Sequence, residues 1–144
     1  MKVPTLLIEP TILLEALLAP DGDSGRLLRR CLESGGTLEL CSTEAALLVL
    51  RRAAGERELL RSAGLTSAEV ERWITALELR LTLLEASVEQ LAQVASIVGS
   101  TWQALSDVDR QSLTVAACDR CLLVTREPRL RELIDSLARS ELGS

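Results

Sequence analysis

Histidine is absent from this 144-residue chain, and so is asparagine. Without imidazole there is no Ser-His or Cys-His nucleophile pair, no histidine general base and no histidine metal ligand. Lys2 is the single lysine among 16 basic residues, which excludes a lysine-centred phosphate loop or Schiff base unless Lys2 itself serves. Any chemistry performed by this chain must therefore use carboxylates.

Aromatic side chains are also scarce. The chain has two tryptophans, Trp73 and Trp102, and neither tyrosine nor phenylalanine. Stacking platforms for nucleic acid bases are nearly absent, and we expect both tryptophans to be core or interface anchors. The net charge of −5 opposes non-specific binding to a polyanion, although a bound divalent metal would reverse that sign locally.

The hydrophobic content of 47% is enough for an independently stable core. We expect a single domain over residues 1–140 and a frayed tail at 141–144. Glu9, Pro10 and Glu15 interrupt the apolar N-terminal stretch, and no 18-residue apolar run follows. The prediction is a soluble cytoplasmic protein without a membrane segment.

Four cysteines are present, and two of them, Cys118 and Cys121, form a C-x-x-C pair. Inside a cell, cysteines are more often reduced thiols than disulfides. The pair falls where a predicted helix ends and a strand begins, whereas redox versions of the motif lie where a helix begins. We therefore favour free thiols over a redox or zinc site.

Strands and helices alternate along the sequence. The apolar segments VPTLLIEP, TLELC, LTLLEAS and CLLVT are predicted strands, and amphipathic segments separate them. One long helix is predicted over 42–62, and the DGDSG segment before the second helix is predicted to be a turn. This alternation indicates an α/β fold with three α/β/α layers and a parallel sheet of four to five strands.

Four acidic residues lie where a predicted strand ends or a predicted helix begins: Glu9, Glu44, Asp109 and Glu127. The carboxyl ends of parallel strands converge on one edge of a sheet, so these acids are expected to meet in one crevice. Carboxylates packed closely need a cation to stay ionised. The pattern therefore predicts a divalent-metal site.

Each acid also has an ordinary explanation, because a carboxylate in the first turn of a helix interacts favourably with the helix dipole. Ser106 and Asp109 have the spacing of a capping box, and Glu44 follows the cap candidates Ser42 and Thr43. Glu9 is the exception. It ends an apolar strand, where an unpaired carboxylate is costly and requires a partner, a metal or solvent.

Two segments resemble motifs of the PIN-domain nucleases, a family that includes the VapC-like toxins. In LLIEPTILLEALL an acid ends the first strand and a threonine follows two residues later, as Glu9 and Thr11 do here. In LCSTEAALLVL an acid begins the helix after the second strand, as Glu44 does. The resemblance spans nearly the whole chain and implies a PIN-like sheet.

The most specific similarity is in DRQSLTVAACDRCLLVTREPRL, with Asp109, Ala116, Thr125 and Glu127 at the positions of the family motif. The resemblance implies an endoribonuclease in which the four acids hold one or two Mg²⁺ or Mn²⁺ ions and single-stranded RNA is cleaved.

Several other residues are candidates for supporting roles at such a site. Thr11 and Thr125 are expected either to steer a ligand or water or to serve as plain cap and strand-end hydroxyls. Arg126 and Arg129 are candidates for gripping the RNA backbone, because guanidinium groups suit phosphate oxygens. The equal alternative is that these arginines are solvated and pair with nearby acids.

The chain has Glu at positions 9 and 127, where the family usually has Asp. Two hypotheses follow: an active nuclease, as the toxin of a toxin-antitoxin pair, or a degenerate PIN domain that acts as a binding or oligomerisation module. The resemblance and the leucine-rich helices also suggest a homodimer and an antitoxin-like partner chain.

Overall fold

The computed structural model describes residues 3–140, so the expectation of a frayed tail at 141–144 lies outside the described residues. Its centre is a four-stranded, all-parallel sheet with strand order β3-β2-β1-β4. The strands are β1 (Thr5–Ile8), β2 (Glu39–Ser42), β3 (Thr82–Leu83) and β4 (Leu122–Val124). The predicted parallel α/β architecture is confirmed.

Eight α-helices lie within residues 3–140. In chain order they are α1 (Pro10–Leu18), α2 (Asp23–Leu32), α3 (Glu44–Ala54), α4 (Arg57–Ala63), α5 (Ser67–Glu78), α6 (Val88–Val98), α7 (Asp107–Cys118) and α8 (Pro128–Ala138). A 3-10 segment, Gly99–Ala104, follows α6. None of the described helices is both long enough and apolar enough to span a bilayer.

The sheet separates two apolar cores, because successive residues of a strand point to opposite faces. Leu6 and Ile8 of β1 belong to a core shared with α1 to α5, while Leu7 belongs to a core that includes α7. A third cluster joins α6, α7 and α8 through buried side chains that include Leu113 and Leu130. The result is three layers, with helices on both faces of the sheet.

The predicted long helix over 42–62 is wrong, because the structure divides it into α3 and α4. Helix α3 ends at Ala54, and the amide of Gly55 donates to the carbonyls of Arg51 and Arg52. Glu56 is then extended, with φ −74° and ψ 119°. Glycine has one of the lowest helix propensities, which accounts for the break at this position.

The segment predicted to be a turn before the second helix belongs in part to that helix, since α2 begins at Asp23. Gly25 lies in the first turn of α2, close to the backbone of Pro20 in the preceding loop. A Cβ atom at this position would lie 2.2 Å from the carbonyl oxygen of Pro20. A side chain is therefore excluded here, and the path of the loop between α1 and α2 depends on glycine at this position.

Strand order determines where a ligand site can form. The chain passes from β1 to β2 and β3 on one side of β1, and β4 lies on the other side. The direction of winding therefore reverses between β1 and β4. In open α/β sheets, ligands bind outside the carboxyl ends of strands at such a reversal. Glu9 and Thr125 directly follow these two strands.

We predict that Leu50→Ala lowers the free energy of unfolding by about 2–5 kcal/mol, because it opens a cavity in the core. The Leu50 side chain is 0% exposed, whereas Leu48 on the same helix is 51% exposed. The matched control Leu48→Ala should change stability by about 0.5 kcal/mol or less. Urea unfolding of both variants checks this prediction, and equal losses would contradict the assignment of the core.

Candidate functional site

Glu9 is buried at the carboxyl end of the central strand β1. Its amide donates to the carbonyl of Val124 at 3.1 Å, and its own carbonyl accepts from Ile12 and Leu13 at the start of α1. The Glu9 side chain makes no capping hydrogen bond, is 6% exposed and has no hydrogen-bond partner at Oε1. Helix capping therefore does not account for this carboxyl group.

The electrostatic environment of Glu9 disfavours its charged form. Burial raises its pKa to about 7, and the negative charge of Asp109 acts in the same direction. The hydroxyl of Ser112 opposes both effects as a hydrogen-bonding group. Ser112 is itself 2% exposed and lies one turn beyond Asp109 on α7. Asp109 and Ser112 thus share the face of α7 that is turned to Glu9.

Asp109 lies in the first turn of α7, where its amide donates to the Oγ of the capping residue Ser106 at 3.1 Å. Burial raises the pKa of the Asp109 carboxyl, and a separate hydrogen bond between this carboxyl and the side chain of Ser106 opposes the effect of burial. The charge of Glu127 raises the pKa further, while that of Arg129 lowers it. Asp109 is therefore close enough to both Glu9 and Glu127 for the carboxylates to repel one another.

Glu127 is the N-cap of α8. One of its carboxylate oxygens accepts weakly from the amide of Arg129 at 3.4 Å, and its own amide donates to Oγ1 of Thr125 at 3.0 Å. Thr125 is 4% exposed, whereas Glu127 is exposed to solvent. The buried hydroxyl of Thr125 therefore orders the backbone of the turn that carries Glu127.

Glu44 stands apart from the other three acids. It is exposed at the first position of α3 and lines a groove of about 450 Å³ whose walls include Leu48, Arg51 and Glu78. Its charge is not among the causes of the shifted pKa values of Glu9 and Asp109.

Within residues 3–140, no group of three His, Cys, Asp or Glu side chains is arranged to hold a metal ion.

The supporting residues differ in their surroundings. Thr11 is exposed in the first turn of α1. Arg126 is engaged by Glu15, with 2.7 Å between Nε and Oε2. Arg129 is exposed and lies near enough to Asp109 to lower the pKa of its carboxyl group.

Sequence reasoning missed two buried hydroxyls near the strand ends. Ser112 was identifiable, because it lies three residues after Asp109 on a predicted helix and therefore on the same face. Ser42 was predicted only as a cap candidate, but Thr43 caps α3, with its side chain accepting from the amide of Ala46. The side chain of Ser42 is 0% exposed and donates to the carbonyl of Ile8 at 3.3 Å, which joins the ends of β1 and β2.

The donor chemistry of these acids fits a hard divalent cation. Mg²⁺ and Mn²⁺ take oxygen ligands, and Oε1 of Glu9 is a buried oxygen that has no hydrogen-bond partner. Asp109 raises the pKa of Glu9, and Glu127 raises that of Asp109, so these three acids are the candidate ligands, although their side chains are not already grouped around a common point. Glu44 is the predicted ligand that does not share this influence.

The C-x-x-C pair lies at the end of α7, as predicted. Cys118 is the last residue of that helix, and Cys121 directly precedes β4. Neither cysteine forms a disulfide in the described part of the chain, and burial raises the pKa of Cys118. A raised pKa disfavours the thiolate that redox exchange and zinc binding require.

No model of a known protein family matches the chain, and neither does any curated protein or solved structure. The assignment of a function therefore depends on the residues described above.

We predict that Glu9 makes the metal-free protein less stable as the pH rises from 4.5 to 7. The pKa of Glu9 is raised from its ordinary value of 4.5 to about 7, so across this window the folded state keeps a proton that the unfolded state has lost. This proton contributes roughly 3 kcal/mol of stability at the low-pH end, and the contribution disappears above pH 7.

Urea unfolding in the presence of a chelator checks this prediction. The free energy of unfolding of Glu9→Gln relative to the wild type should rise by roughly 3 kcal/mol between pH 4.5 and 7. The exposed acid Glu132 provides the control, since Glu132→Gln should leave the wild-type pH dependence nearly unchanged. A Glu9→Gln curve parallel to that of the wild type would contradict the described environment of Glu9.

Proposed function

We propose that this chain is a Mg²⁺- or Mn²⁺-dependent endoribonuclease of PIN type that hydrolyses phosphodiester bonds in single-stranded RNA. One observation carries the proposal: the buried carboxyl of Glu9, with an unpartnered oxygen, faces the charge of Asp109 beyond the end of the central strand. A divalent cation between these groups would convert a costly repulsion into an attraction.

The location of these acids supports a binding site rather than a set of helix caps. Glu9 follows β1 and Glu127 lies three residues beyond the end of β4, so both belong to the point where the winding of the sheet reverses. Asp109, from α7, influences both of them. Three segments that are distant in sequence therefore contribute carboxylates to one region.

In the proposed site, Glu9, Asp109 and Glu127 would hold the metal, with Glu44 as the fourth candidate ligand. When bound, the metal would activate a water and neutralise charge developing on the phosphoryl oxygens. Ser112 holds the Glu9 carboxyl from α7, and Thr125 orders the turn at Glu127. Arg129 is the exposed guanidinium that would attract an RNA phosphate to this region.

The biological setting belongs to the proposal as well. The PIN resemblance favours a cytoplasmic toxin with an antitoxin-like partner chain, and exposed apolar side chains favour a homodimer. These include Leu48, Leu83 and Leu122, which are 51%, 43% and 66% exposed. Light scattering at micromolar concentration tests the dimer, and a clean monomer would overturn it.

A second candidate is a degenerate PIN domain that serves as a protein-binding or oligomerisation module. The observation that favours it is the position of Glu44, which lines a separate groove and does not share the electrostatic influence of the other acids. This alternative predicts a stable assembly that gives no Mn²⁺-binding heat in isothermal titration and no metal-dependent cleavage of RNA.

We predict that Asp109→Asn lowers Mn²⁺-dependent cleavage of single-stranded RNA by roughly a hundredfold or more, because it removes the acid that couples to both Glu9 and Glu127. Isothermal titration of Mn²⁺ into the metal-stripped variant should show a matching loss of affinity. The same preparations are then incubated with labelled RNA.

Asp107→Asn is the matched control for this experiment. Asp107 lies in the same turn of α7, but its side chain is 96% exposed and pairs with Arg110 at 3.6 Å. This variant should keep the affinity and cleavage rate of the wild type. Full activity in Asp109→Asn, or equal losses in both variants, would refute the proposed nuclease site.

A further inference from the structure

Arg126 belongs to a closed cluster that joins three elements of the fold. Its Nε donates to Oε2 of Glu15 on α1 at 2.7 Å, and its Nη2 donates to Oγ of Ser24 on α2 at 3.3 Å. The Ser24 hydroxyl in turn donates to the same Glu15 oxygen at 2.7 Å. Each of the three side chains therefore contacts the other two, across more than a hundred residues of sequence.

The turn that contains Arg126 is also held on both sides. Before it, the carbonyl of Thr125 accepts from Nη2 of Arg131 at 2.7 Å. After it, the amide of Glu127 donates to Oγ1 of Thr125 at 3.0 Å. The cluster at Arg126 is the contact that ties this locally ordered turn to the helices α1 and α2.

We propose that Arg126 is a positioning residue: through Glu15 and Ser24 it fixes the β4–α8 turn and therefore the Glu127 carboxylate. This inference rests on the proposed function, in which Glu127 is a metal ligand. It replaces the expectation that Arg126 grips the RNA backbone. Helix α1 begins directly after Glu9, so the cluster links the helix that follows one proposed ligand to the turn that carries another.

The contacts of Arg126 favour positioning over phosphate binding. Its Nε and Nη2 already donate to the Glu15 carboxylate and the Ser24 hydroxyl. A phosphate that bound the same edge of the guanidinium would have to replace both hydrogen bonds. Oε2 of Glu15 accepts from both Ser24 and Arg126, and the hydrogen bond from Ser24 is the main cause of the lowered pKa of Glu15.

The role of the cluster is geometric rather than a large source of stability. The side chains of Arg126 and Glu15 are 53% and 35% exposed, and ion pairs at that exposure contribute little to the free energy of unfolding. Ser24, by contrast, is 5% exposed and gives the cluster a fixed point at the start of α2. Loss of the ion pair should therefore loosen the turn without unfolding the protein.

The test compares Glu15→Gln, Arg126→Gln and the matched control Arg26→Gln. The control also breaks an ion pair of 2.7 Å, between Arg26 and Asp23, but both partners of that pair lie on α2. Urea unfolding first establishes that all three variants are folded. Amide hydrogen exchange at Glu127 and Arg129 is then measured in chelator-treated protein.

We expect faster exchange at these two amides in Glu15→Gln and in Arg126→Gln, and wild-type exchange in Arg26→Gln. Mn²⁺ affinity should fall by about tenfold or more in the first two variants, the size expected when a group that orients a metal ligand is lost. The double variant should lose no more than either single variant. In RNA cleavage, kcat should fall while KM stays nearly constant.

A phosphate-binding role for Arg126 makes the opposite prediction for Glu15→Gln. Releasing Arg126 from Glu15 would then lower KM for RNA and leave exchange at Glu127 unchanged, and that result would overturn the inference. Exchange is measured without metal, so unchanged exchange contradicts the inference whether or not Mn²⁺ binds. Failure of the wild type to bind Mn²⁺ contradicts the proposed nuclease function instead.

Discussion

The buried carboxyl group of Glu9 is the constraint on which the arrangement of the site depends. Strand β1 lies in the interior of the sheet, and Glu9, which directly follows it, is 6% exposed, bonds through its amide to the end of β4 and meets Ser112 of α7. Burial and the neighbouring Asp109 both oppose ionisation of Glu9, and the hydroxyl of Ser112 offsets them only in part. Such a group is stable either as a protonated acid or as a carboxylate beside a cation. The burial of Glu9 therefore connects the packing of the fold to a metal-dependent function, because a cation bound beside the carboxyl group would remove its proton.

Much of the fold was predictable because it depends on local patterns. The alternation of apolar strands with amphipathic helices indicated the parallel α/β sheet, and the structure has that sheet with helices on both of its faces. The break at Gly55 was missed because the helical pattern continues on both sides of it, so a single residue of low propensity decides the outcome. Gly25 was missed for a different reason: its contact with Pro20 arises from the path of the short loop between α1 and α2, which the pattern of residue types does not show.

Only part of the candidate site was predictable. The alternation of strands and helices predicts a parallel sheet, and a parallel sheet brings the carboxyl ends of its strands to one edge. The sequence indicated that Glu9, Asp109 and Glu127 would lie at one edge of the sheet, and their electrostatic coupling is consistent with that expectation. It gave no means of separating Glu44 from them, since a strand-end position does not fix the direction of a side chain at the start of a helix. The ion pair between Arg126 and Glu15 could not be predicted either, because these residues are far apart in sequence and meet only where α1 packs beside the β4–α8 turn.

The central claim is that Glu9, Asp109 and Glu127 share one cation, and Mn²⁺ titration followed by NMR tests it most directly. Paramagnetic Mn²⁺ broadens the amide signals of the residues nearest to it. The account predicts that substoichiometric Mn²⁺ selectively broadens the amide signals of Glu9, Asp109, Ser112 and Glu127 before those of exposed acids elsewhere. Uniform broadening at exposed acids, or no broadening near Glu9, would contradict a shared site and leave Glu9 as a protonated acid of the core.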